Sequence, residues 1–136
     1  MGAVSMSKRR YKYYQPNKMD LKDTYGDCAV RVICKAEDME WLDAYDMMHQ
    51  LSREVQSPMN CKTGFEHIVK SLGYEYHGIS NKKGSKRPTV DSFTKDNKEG
   101  TFICVVANHY VCSQDGVYYD TWDSGEKSMY GYWEKK

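Results

Sequence analysis

A chain of 136 residues and 15.9 kDa has room for one hydrophobic core and not for two. With 29% charged residues, 40% in the AVILMFWYC set and a mean hydropathy of −0.82, it is expected to fold and stay in solution, which excludes membrane-spanning, collagen-like, disordered and disulfide-knot classes. Twenty Lys and Arg against nineteen Asp and Glu leave a net charge of +1, so no whole-molecule field draws the chain to nucleic acid.

The longest apolar stretch, Ile103 to Ala107, falls far short of the ~20 residues that cross a bilayer. No basic segment followed by an apolar one opens the sequence, so a signal peptide is not expected. Basic charge is concentrated in two places. Residues 1–22 carry Lys8, Arg9, Arg10, Lys12, Lys18 and Lys22 against Asp20 alone, and Lys82, Lys83, Lys86 and Arg87 form a second group. Both read as solvated segments, the first a Tyr-rich arm on a single domain of residues 23–136. A basic rim for an acidic partner, or RNA stacked on Tyr11, Tyr13 and Tyr14, is the alternative. The five cysteines, Cys28, Cys34, Cys61, Cys104 and Cys112, are odd in number and form no CxxC pair. That argues against a disulfide framework or a zinc ribbon, and for free thiols in a reducing, cytoplasmic compartment.

In chain order, Ala29, Val32, Ile33 and Ala36 recur at helical spacing after Cys28, with Asp27 as the expected N-cap. Asp38 is expected to cap a second helix running to about Arg53, with Leu42, Tyr45, Met48 and Leu51 or Ser52 inward. Ser57-Pro58 closes it. Thr63-Gly64-Phe65-Glu66 has the form of a capping box and opens a third helix, with Phe65, Ile68, Val69 and Leu72 inward and Gly73 at its end. Gly78 to Pro88 reads as a basic loop, and Thr89 to Asn97 as a short helix burying Val90 and Phe93. Then the period changes. Thr101 to Ala107, His109 to Ser113, Val117 to Trp122 and Met129 to Glu134 read as strands, with a hairpin turn at Gln114-Asp115-Gly116. Helices followed by an antiparallel sheet give an α+β class.

Three local features suggest chemistry. Cys28 stands in the first turn of a helix, where free amides and the helix dipole favour a thiolate. The Cys28 N–H is also placed to donate to an oxyanion. His109 stands at a strand entrance. Asp120 interrupts an aromatic strand, where Asp is disfavoured. If Asp115-Gly116 is a two-residue turn, Gln114 faces Val117 and Val111 faces Asp120. His109 and Asp120 then become diagonal neighbours about 7–8 Å apart at Cα. A three-residue turn would put Asp120 on the opposite face and leave Asp123 as the nearest substitute. Cys, His and a carboxylate in this order make a nucleophile, a base and an orienter. Asp27 beside the sulfur would oppose thiolate formation unless it caps the helix or pairs with Arg31, four residues on. A zinc site built from Cys104, His109, Cys112 and Asp120 is disfavoured, because the cysteines lack ligand spacing and Cys112 should face away from His109.

The His109…Asp120-Thr121-Trp122…Gly131-Tyr132-Trp133 tract resembles the His…Asn-Ser-Trp…Gly-Tyr tract of papain-like cysteine peptidases, with Asp for Asn. Asp27-Cys28 at a helix start resembles the acidic-Cys start of bacteriocin-processing double-glycine peptidase domains. The resemblance spans roughly residues 20–134. It implies a compact papain-like fold, a Cys28–His109–Asp120 triad, Trp122 shielding the His–Asp bond, and no metal or organic cofactor. The substrate it implies is a peptide or protein. The family also places a Gln about six residues before the nucleophile, where Lys22 stands here. Lys22, the Thr24 amide or Gln15 from the arm are the candidate second oxyanion donors. A papain-like binding module without catalysis is the alternative function.

Overall fold

The computed structural model describes residues 10–19, 26–80 and 86–136. The arm expected over residues 1–22 contributes a strand, β1 (Tyr11–Tyr13). Then follow α1 (Cys28–Glu37), α2 (Trp41–Glu54), α3 (Lys62–Ser71), β2 (Tyr74–Gly78), α4 (Val90–Asp96), β3 (Thr101–Val106), β4 (His109–Gln114), β5 (Val117–Asp120) and β6 (Gly131–Lys135). The class is α+β. The sheet has six strands in the order β1-β5-β4-β3-β6-β2, and it is mixed rather than antiparallel throughout, because β1 runs parallel to β5.

Strand alternation divides the core in two. Ile103, Cys112, Trp133 and Tyr74 pack with α1, α2 and α3 on one face. Phe102, Cys104, Val106, Val111 and Tyr118 pack with Val90 and Phe93 of α4 on the other. The second cluster also takes Met129, which lies just before β6. Helix α1 lies against β4 and is buried along most of its length, from Ala29 through Cys34, and this fixes its N-terminus over the β4–β5 end of the sheet.

Several helix boundaries differ from expectation. Asp38 caps nothing at the start of α2: it closes α1 in the left-handed conformation (φ 55°), which a short polar side chain tolerates. With α2 starting at Trp41, its buried stripe is Ala44, Met48 and Ser52, while Leu42 is 68% exposed and Tyr45 stacks between Trp41 and His49 on the outer side. Thr63 and Glu66 form no capping box. Helix α3 opens two residues earlier, with Cys61 as N-cap, on a turn closed by Cys61 N–H to Pro58 O at 3.1 Å. Gly64 is needed there, since a Cβ would sit 2.2 Å from the Pro58 carbonyl oxygen. The reciprocal box forms instead at Thr89 and Ser92, at the start of α4. Strand β2 falls in the segment before the basic loop and has one buried residue, Tyr74, paired on one side to β6.

Candidate active site

Asp115 (φ 50°) and Gly116 (φ 86°) both adopt positive φ, and Gln114 pairs with Val117 across a two-residue turn. That register places Asp120 of β5 beside His109 of β4. His109 Nε2 lies 2.6 Å from Asp120 Oδ2. A carboxylate only accepts here, so Nε2 carries the proton, and Nδ1 is left for the hydrogen bond between His109 and the Cys28 thiol. His109 itself follows directly on Asn108, which takes the left-handed conformation (φ 53°) in the tight β3–β4 turn. The imidazole is thereby held at the rigid end of a strand.

Asp120 is buried and saturated. Oδ2 accepts from His109 and from Ser124 Oγ at 2.7 Å; Oδ1 accepts from the Thr121 N–H at 2.8 Å and from an Arg31 terminal nitrogen at 3.2 Å. Its backbone carbonyl accepts from the Tyr14 N–H at 2.8 Å and the Tyr11 hydroxyl at 3.2 Å, so β1 braces the end of β5. Burial pushes the Asp120 carboxyl up, but the His109 hydrogen bond and charge, then Ser124 and the Thr121 amide, bring it below the ordinary carboxylate value.

The pair above it is polarised. Burial raises the Cys28 thiol, yet the His109 hydrogen bond, a bond from the Tyr110 backbone and the charges of His109 and Arg31 more than offset this and lower it from its ordinary 9.0. Burial works against a charged His109 too, and the bonds to Asp120 and Cys28 still lift it from 6.5 to about 9. Both shifts run in the direction that moves the proton from Cys28 to His109 and favours a thiolate–imidazolium pair. Other thiols move the opposite way: burial pushes Cys34 and Cys112 up to about 12, and Cys104, also buried, rises well above 9.0. Cys61 is exposed at the start of α3.

Asp27 provides no side-chain cap for α1. Its carboxylate is held by Arg31, four residues on, and by Trp41 Nε1–H of α2 at 3.2 Å. Of the two arrangements that would let an acidic residue precede a candidate nucleophile, the pairing with Arg31 is the one adopted. The first-turn amides of α1, that of Cys28 included, have no partner within the helix by construction.

Cys28 and His109 line a cleft of about 680 Å³, with Phe65 of α3, Tyr76 of β2, Trp133 of β6 and Tyr130 as its aromatic walls. Asn60, Lys62 and Glu66 form its polar rim on the α3 side. Trp122 lies beside His109 with ring centroids 5.2 Å apart; it is 43% exposed and so only partly covers the His109–Asp120 bond. Lys22 and Thr24 lie outside the described residues. Gln15 does not line the cleft, and its side-chain oxygen accepts from the Asn17 N–H at 3.0 Å. Among the described residues, Glu75, His77 and Glu134 bring ligand-type atoms within 4.8 Å of one another on the exposed β2–β6 edge, and Glu75 is held by Lys136.

Arg31 was legible as a partner for Asp27 but not for Asp120, 89 residues away. Ser124 carried no signal beyond being a small polar residue after the strand. No family model, curated protein or solved structure matches the chain.

Proposed function

We propose that the chain is a cysteine-dependent thiol hydrolase of papain-like type, a peptidase or isopeptidase acting through Cys28, His109 and Asp120. The observation that carries this reading is that Cys28, at the first turn of α1, and His109, held at 2.6 Å by Asp120, open on the same cleft, each shifting the other towards the charged form. Trypsin-like and papain-like sites share this logic: the base needs a partner on its far side that holds the ring and stabilises the imidazolium.

In the reaction, the Cys28 thiolate attacks the carbonyl carbon of an amide, and the carbonyl oxygen becomes an oxyanion facing the Cys28 N–H. The His109 proton passes to the departing amine as the C–N bond breaks, leaving a thioester on Cys28 and a neutral imidazole. Water then gives a proton to His109 and attacks the thioester. The acid leaves, and the proton ends on the Cys28–His109 pair. Asp120 stays ionised throughout, since His109, Arg31, Ser124 and the Thr121 amide all favour the charged form. The aromatic cleft walls favour an extended peptide or flexible protein tail with an apolar side chain near the scissile bond. Among the described residues no helix is long and apolar enough to cross a membrane. Five cysteines without a disulfide fit a reducing compartment such as the cytoplasm.

Iodoacetamide labelling at pH 6, with the modified cysteine located by mass spectrometry, tests the site without knowledge of the substrate. Cys28 is expected to react well ahead of Cys61, although Cys61 is more exposed. Equal rates at the two thiols would replace the hydrolase with a non-catalytic binding module of the same fold.

A further inference from the structure

We propose that Arg31 is a positioning residue: its guanidinium, buried between the carboxylates of Asp27 and Asp120, locks the orienting carboxylate to the helix that carries Cys28. This rests on the thiol-hydrolase reading above and concerns how that site is held and charged.

A guanidinium does not enter an apolar helix face without compensation. Arg31 is 6% exposed, in the most buried stretch of α1. Its two terminal nitrogens go to two different carboxylates, one to Asp27 Oδ1 and the other to Asp120 Oδ1 at 3.2 Å. A planar fork of this kind is what Arg provides and Lys does not. Asp27 would be satisfied by Arg31 and Trp41 alone, so the second arm of the fork is a distinct feature, and it reaches across the chain to the triad.

Two consequences follow. With Oδ1 of Asp120 taken by Arg31 and the Thr121 amide, Oδ2 is the oxygen presented to His109, and the plane of the carboxylate is set. The positive charge also pairs with Asp27, the acidic residue next to the sulfur in the chain, and acts on Cys28 in the direction that favours the thiolate. The charged and titratable groups about the sulfur and the imidazole are Arg31 from α1, His109 and Tyr110 from β4, Asp120 from β5, and Lys62 and Glu66 on the cleft rim, with Asp27 preceding Cys28 in the chain. Of these, Arg31 alone contacts both carboxylates.

The test is the pH dependence of Cys28 alkylation by iodoacetamide, from pH 5 to 10, in the full chain and in Arg31→Lys and Arg31→Met, with near-UV circular dichroism reporting the fold. Lysine keeps the charge and is expected to fold, but one ammonium cannot hold both carboxylates. Its Cys28 midpoint should move to higher pH by about one unit, which lowers the rate at pH 6 about tenfold and leaves Cys61 unchanged. Where Arg31→Met folds, the move is in the same direction and larger. A folded lysine variant with the wild-type midpoint overturns the proposal, whether its rate is unchanged or reduced equally at every pH. Loss of fold in the lysine variant also counts against it, since the retained charge should hold the helix. Failure of the underlying hydrolase reading looks different: there the wild-type chain itself alkylates Cys28 no faster than Cys61.

Discussion

Replacing Cys28 by Ala separates the two halves of a proton balance, and the result is readable as stability against pH. In the wild type the Cys28 thiol lies below its ordinary 9.0 and His109 is lifted from 6.5 to about 9. Above pH 6.5 and the lowered thiol value, and up to about 9, the folded chain holds one proton on His109 and none on Cys28. The unfolded chain holds one on Cys28 and none on His109. The proton count is equal, so this pair adds no slope to the stability curve.

In Cys28→Ala the thiol half is absent and His109 keeps Asp120. Its folded value stays above the unfolded one, so its contribution is complete below pH 6.5 and is lost as pH rises through the folded value. A full lift to about 9 would be worth about 3 kcal/mol, and because Cys28 supplies part of that lift, about 1–2 kcal/mol is expected in the variant. Loss of the sulfur's packing displaces the whole curve without tilting it. Urea unfolding of both chains at pH 6, 7.5 and 9 checks this, and groups that titrate alike in both cancel in the difference. Wild-type stability minus that of the variant should rise with pH once the lowered thiol value is passed, by up to about 1–2 kcal/mol by pH 9. Parallel curves would mean that no proton is exchanged within the pair, and the thiolate–imidazolium ground state would fall with them.

Two further substitutions probe the supports. Asp120→Ala leaves buried Arg31 and His109 without their shared acceptor and strands Ser124 Oγ and the Thr121 amide. A cost of about 3–5 kcal/mol is expected by denaturant unfolding, and a loss below about 1 kcal/mol would show that the network does not hold the sheet to α1. Gly131→Ala puts a Cβ 2.2 Å from Tyr76 Oη and 2.9 Å from the His77 carbonyl oxygen. The hydroxyl can swing away, but the carbonyl is fixed by the Gly78–Gly131 pairing. The expected cost is about 1–3 kcal/mol with Tyr76 displaced from the cleft wall, and an unchanged thermal midpoint would place the Tyr76 ring elsewhere.

What was legible in the sequence is what short-range rules determine. The α1 start, the α4 helix with Val90 and Phe93 buried, and the β4–β5 hairpin each depend on residues within one turn or one pairing of each other. The Asp115-Gly116 turn was decisive, because a period-2 strand converts one residue of register into a choice of face, and so into whether Asp120 or Asp123 meets His109. Edge strands were lost for the opposite reason. Tyr11–Tyr13 and Tyr74–Gly78 alternate Tyr with a charged residue over only three positions, and each is held by partners more than fifty residues away, so neither stands out as a strand on its own. Asp38 was misplaced because a short polar side chain suits both an N-cap and a left-handed C-cap, and helix packing made the choice.

Arg31 marks the boundary between these regimes. Its spacing to Asp27 is one helical turn and can be read from the chain; its bond to Asp120 spans 89 residues and exists only once α1 has docked on β4. That docking is apolar, driven by Ala29, Val32, Ile33 and Ala36 against Ile103 and Cys112. The polar network is therefore a consequence of core packing rather than its cause. It also explains how an acidic residue is tolerated directly before the candidate nucleophile. Helix α1 is also buried on the side opposite that stripe, where Arg31 takes up both the charge of Asp27 and the Asp120 carboxylate.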